Sequence, residues 1–155
     1  MGAQLGRRQV LLEALPLGAS AAIRMTAGLG PSLAARRNPD HSISIVPAEE
    51  TWVARLGSLE LARSDRALLL AEAGYPAVVY FPPGDVHTAE LIPSDTHTHC
   101  PFKGDASYWA ANVGDEVADV AWYYPRTFDE VIAIAGYVAF YVNKVTVTRA
   151  SQSGN

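Results

Sequence analysis

The sequence contains a single cysteine, Cys100. One thiol excludes an intramolecular disulfide and a zinc site made of paired Cys-x-x-Cys knuckles. It suits a reducing compartment, and the cytoplasm is the expected location. Basic charge is also scarce: 12 Lys and Arg face 16 Asp and Glu, for a net charge of -4. Such a chain has no clustered cations to meet a phosphate backbone, so nucleic acid is not an expected partner. Long apolar runs are missing too. A membrane-spanning helix needs about 18 apolar residues. The nearest run, from Val131 to Val142, is broken by Gly136 and closes on Asn143 and Lys144, which reads as buried core. A membrane is therefore not an expected partner either. There is no internal repeat, no Gly-rich phosphate loop and no paired metal-binding carboxylate motif.

What is present fits one soluble globular domain: 155 residues, 49% hydrophobic and 18% charged. A homo-oligomer stays open. Residues 1–40 differ in texture from the rest, being rich in Ala, Gly and Leu with Glu13 and Asp40 as the acids. Arg7-Arg8 ahead of an Ala- and Leu-rich stretch weakly matches a twin-arginine export signal or an Arg-rich organelle peptide, but Glu13 and Pro16 interrupt it. The expectation is an N-terminal extension, poorly ordered or weakly helical, followed by a domain over 41–149 and a tail over 150–155.

Within the domain, Ile43 to Val46, Trp52 to Leu56 and Leu59 to Ser64 read as short strands, the last two joined in a hairpin around Gly57-Ser58. Ala67 to Ala73 is ambiguous between helix and buried strand. Pro76 to Phe81 is a strand stopped by Pro82-Pro83. Asp85 to Leu91 suits one helical turn on the way to a loop at Pro93. Ser107 to Ala111 and Val120 to Tyr124 are aromatic strands linked by a turn at Gly114-Asp115-Glu116. Thr127-Phe128-Asp129-Glu130 has the spacing of a capping box and predicts a short helix ending before Gly136. Tyr137 to Thr148 alternates as a final strand. The fold class expected is mainly β with minor α: a compact antiparallel sheet or open barrel with one or two short helices.

Four blocks then make a pattern: Tyr80-Phe81-Pro82; Cys100-Pro101-Phe102-Lys103-Gly104 with Ala106-Ser107-Tyr108-Trp109; Ala121-Trp122-Tyr123-Tyr124-Pro125; and Gly136-Tyr137-Val138-Ala139-Phe140-Tyr141. With these blocks in this order, the chain from about Val46 to Thr148 resembles the DUF427 family, a domain without an established activity. The resemblance implies a mostly antiparallel fold similar to the β-tent folds of the methionine sulfoxide reductase B type, and it tips Ala67 to Ala73 towards strand. Many β-tent relatives carry zinc on two cysteine pairs. One cysteine cannot supply that site here.

Chemistry concentrates between Ser94 and Trp109. Cys100 with His97 and His99 nearby could act as an activated nucleophile, or could be a buried small hydrophobe. His97 and His99, two apart, share one face of an extended segment and could form half a metal site with His87 or Asp95; without a placed third ligand no metal is assigned. Lys103, between Phe102 and Gly104, could seat an anionic group or lose its proton and act as a base; alternatively it pairs with Glu72 or Asp105. Glu72, ending a buried-looking run, is either paired or desolvated for proton transfer.

The catalytic candidates are therefore Lys103, Glu72, Cys100 and Tyr80. The ligand-binding candidates are His99, Tyr108, Trp109, Trp122 and Tyr124. Together they suggest a small-molecule-binding β domain, with no cofactor, doing acid–base chemistry of isomerase, cyclase, dehydratase or lyase type in an aromatic pocket. The alternative is a non-catalytic binding or interaction module whose signature residues hold the fold.

Overall fold

Three antiparallel sheets carry residues 28–150, the part of the chain that the computed structural model describes. The twin-arginine-like stretch and the tail after Ala150 lie outside the described residues. The strands are β1 (Ile43–Pro47), β2 (Trp52–Leu56), β3 (Leu59–Ser64), β4 (Leu68–Glu72), β5 (Val78–Tyr80), β6 (Ile92–Cys100), β7 (Gly104–Val113), β8 (Glu116–Thr127), β9 (Val138–Phe140) and β10 (Thr146–Arg149). One sheet runs β1–β4–β5, a second β10–β2–β3, and a third β6–β7–β8–β9. Every strand pair is antiparallel. One five-residue helix, α1 (Leu33–Arg37), and three 3-10 segments complete the described elements, and the sheets do not close into a barrel.

The mainly β class and the early strands follow the sequence reading, including the β2–β3 hairpin that turns at Gly57 with a positive φ of 62°. Ala67 to Ala73 resolves as strand β4. Three expectations need correction. The polar stretch before Cys100 is not a loop but the nine-residue strand β6. Its side chains carry little apolar surface, and it holds its place through the backbone ladder to β7. The supposed final strand is two strands in different sheets, β9 on β8 and β10 on β2, parted by the turn at Tyr141 to Val145.

The third correction concerns the capping box. Thr127 is the last residue of β8, and its buried Oγ1 has no partner among the described residues. Glu130 Oε1 accepts from the Ser32 N–H at 3.0 Å instead of reaching back to Thr127. The segment that follows, Asp129–Ile134, is 3-10 and is capped by Phe128 without a side-chain bond. It does stop before Gly136, whose φ is 81°.

Residues 28–40, assigned by sequence to the extension, are tied to the domain. The Leu29 N–H donates to the Thr127 carbonyl at 2.7 Å, and the Asp129 N–H to the Gly30 carbonyl at 2.9 Å. Ser32 is fully buried; its Oγ accepts from the Ala35 N–H to cap α1 and donates to the Pro101 carbonyl at 2.7 Å. This strap therefore grips the turn that carries Lys103.

Two apolar clusters form the core. One gathers Ala54, Leu61, Phe81, Val120, Val138, Phe140 and Val145; the other gathers Leu70, Tyr80, Ala106, Tyr124, Val131, Ile134 and Ala139.

Candidate functional site

Strand alternation sorts the chemistry of the third sheet. Side chains two apart share a face, so Thr98 and Cys100 point one way and His97 and His99 the other. The register agrees: Thr98 pairs with Ala106 and Cys100 with Gly104, while His97 pairs with Ser107 and His99 with Asp105. On β7 and β8 the same rule parts Tyr108, opposite Trp122, from Trp109 and Tyr123.

Cys100, Tyr108, Trp122 and Tyr124 face a cleft of about 1020 Å³ where the three sheets meet. β4 adds Leu70 and Glu72, β5 adds Val78 and Tyr80, and the turn after β6 adds Phe102 and Lys103. Gly104 makes this turn possible. Its φ is 132°, and a Cβ there would overlap the Arg126 carbonyl oxygen on β8. Lys103 is thus delivered by a backbone that only glycine can follow.

At the buried end of the cleft Lys103 Nζ lies 2.5 Å from Glu72 Oε1, with side-chain exposures of 11% and 12%. Glu72 Oε2 lies 2.7 Å from His41 Nε2. The imidazole of His41 stacks on Phe102, with ring centroids 3.9 Å apart. Burial pushes the Glu72 carboxyl up, but the hydrogen bonds and charges of Lys103 and His41 outweigh it and hold the group below its ordinary value. An ionised carboxylate only accepts, so His41 carries a proton on Nε2.

Tyr80 is fully buried, and its hydroxyl accepts from Trp122 Nε1 at 3.2 Å. Burial pushes this phenol well above its ordinary value, against the pull of the Trp122 N–H, with nearby Glu72 and Cys100 adding to the rise. Burial likewise raises Tyr124. Tyr141, tilted on Trp122 at 4.9 Å between centroids, is pushed up to about 12 by burial and by its neighbour Tyr108. All three phenols are protonated donors at neutral pH.

Of the residues expected from sequence, Lys103, Glu72, Cys100, Tyr80, Tyr108, Trp122 and Tyr124 line this cleft. His99 and Trp109 do not. His99 Nδ1 pairs with Asp105 Oδ1 at 2.7 Å on the exposed outer face, beside His97 and Arg126. The thiol of Cys100 therefore has no imidazole from His97 or His99 on its side of β6. Trp109 stacks on Tyr123, 5.9 Å between centroids, against the first core cluster. His87 bonds the Glu60 carbonyl at 3.1 Å, away from His97. Among the described residues, no three His, Cys, Asp or Glu side chains converge as a metal site would require.

Sequence reasoning missed His41, Phe102 and Tyr141 as lining residues. Tyr141 and Phe102 stood inside the blocks that carried the resemblance. His41 had no signal, since it precedes the first strand and meets Glu72 across a long sequence separation.

A family model for a domain of unknown function, DUF427, matches residues 44–151. No curated protein matches the chain.

Proposed function

The chain belongs to the DUF427 family, and from that premise we propose that it binds a small molecule in the cleft beside Glu72 and Lys103. One observation carries the reading: an ion pair nearly nine-tenths buried in a cleft lined mostly by aromatic and apolar side chains. Burying charge is costly, and a fold needing only stability does as well with apolar side chains of similar volume. A cavity with apolar walls and a few converging polar groups is the usual form of a small-molecule site.

The groups also suit acid–base chemistry. Tyr80 and Lys103 can stabilise negative charge developing on a substrate oxygen, as isomerisation, cyclisation, dehydration or elimination requires. Glu72 is held ionised by two partners and is a weak base at rest. Binding is thus the primary reading and proton transfer the activity it would support.

A second reading, a non-catalytic module with a structural ion pair, is favoured by one fact: both Glu72 oxygens are already satisfied within the protein. A thermal-shift screen of small molecules separates the two. The binding reading expects compounds that raise the melting temperature of the wild type by mass action and lose that effect in Tyr80→Phe. A screen without hits, or hits indifferent to both Tyr80→Phe and Lys103→Met, would favour the structural module.

A further inference from the structure

We propose that the ligand of this cleft is an organic monoanion, a flat apolar body with one carboxylate-like group seated on Lys103 and Tyr80. This rests on the cleft being a binding site and adds the class of molecule it takes.

The unspent hydrogen-bonding capacity at the buried end points to an acceptor. Glu72 has given one oxygen to Lys103 and the other to His41. Lys103 Nζ has spent one of its three protons, on Glu72, among the described residues. The Tyr80 oxygen accepts from Trp122, which leaves its own proton to give. What remains there is donors. An amine or other donor head would compete with Lys103 and His41 for the Glu72 oxygens they already hold, whereas a carboxylate takes two donors through its two oxygens, as charge-assisted bonds stronger than neutral ones.

The charges agree. Among the described side chains lining the cleft, Lys103 and Arg149 are cations and Glu72 is the single carboxylate, in a chain of net charge -4. Both cations are paired with a carboxylate, but Arg149 is exposed beside Glu50 whereas Lys103 is buried beside Glu72, so Lys103 is the seat for an anion. The walls specify the body. Trp122 stands at 90° to Tyr80 and at 53° to Tyr141, and Tyr108 lies opposite Trp122 in the ladder. Ring faces and edges so arranged favour a planar apolar group.

Two fluorescent probes with the same ring body test this on the full chain: anionic anilinonaphthalenesulfonate and neutral N-phenylnaphthylamine. The sulfonate should bind about tenfold more tightly or better, the range a charge-assisted bond supplies, and naphthoate should displace it. In Lys103→Met the two probes should bind within about twofold of each other, the loss falling on the sulfonate. If that variant fails to fold, Lys103→Met with Glu72→Gln removes both charges and serves the same comparison. Equal or tighter binding of the neutral probe overturns the proposal, as does an anion preference that survives loss of Lys103. If neither probe binds, the cleft-binding reading itself fails and the proposal with it.

Discussion

Along β7 and β8, adjacent aromatic residues enter two different environments. Trp109 and Tyr123 stack over a cluster of Phe81, Phe140, Val120 and Val138 with no ionisable group among its buried members. Tyr108 and Trp122, one residue away on each strand, look into the cleft with Tyr80, Glu72, Lys103 and Cys100. The first face packs on a wholly apolar cluster. The second holds phenols, a thiol and an ion pair next to open space. Aromatic content cannot distinguish them; strand parity and the polar company of each ring can.

The largest expected effect falls where the two faces are joined. Gly104→Ala would place a methyl on the Arg126 carbonyl at a positive φ, and should cost about 3–5 kcal/mol in denaturant unfolding, in the range reserved for core disruption. Gly114→Ala is the control. Its φ is 63° but the space around it is open, so only the backbone penalty of about 1 kcal/mol applies.

Next comes the pair itself. Lys103→Met leaves a buried carboxylate, and the loss should sit near the low end of about 3–5 kcal/mol because His41 still holds Oε2. The double change with Glu72→Gln should recover part of it. A complete recovery together with unchanged ligand response in the thermal screen would move the cleft into the same class as the Trp109 face.

A smaller effect sharpens the contrast by pH. The folded Glu72 carboxyl lies below its ordinary value of 4.5, so its stabilisation is complete above that value and is lost as pH falls through the lower folded value. Urea melts of wild type and Glu72→Gln should differ most above the ordinary carboxyl range and converge as pH falls below the folded Glu72 value. A difference that stays constant would mean that the carboxylate is not held by Lys103 and His41.

Much of the fold was legible because apolar alternation records which face of a strand is buried. β6 was not, since its Ser94-Asp95-Thr96-His97-Thr98-His99 run lies mostly exposed and offers no buried face to alternate. The capping box failed because three-residue spacing cannot tell that Thr127 ends a strand or that a strap carrying Ser32 claims Glu130. Within the site, the pairing of Lys103 with Glu72 was foreseeable as one of the alternatives, whereas the expected partnership of Cys100 with His97 and His99 overlooked that strand alternation turns them to opposite faces. His41 was not foreseeable: its place depends on how the residues ahead of β1 return to the end of β4, a tertiary fact without local pattern.

The openness of the second face is the claim on which the rest depends, and the chain's one thiol reports on it directly. Cys100 lines the cleft and is partly exposed. Native protein treated with a small uncharged maleimide should be modified to one equivalent without denaturant, and modification should abolish binding of anilinonaphthalenesulfonate. A thiol that stays inert until the protein unfolds would contradict the account, because the face that carries Lys103 and Glu72 would then be closed even to a small reagent.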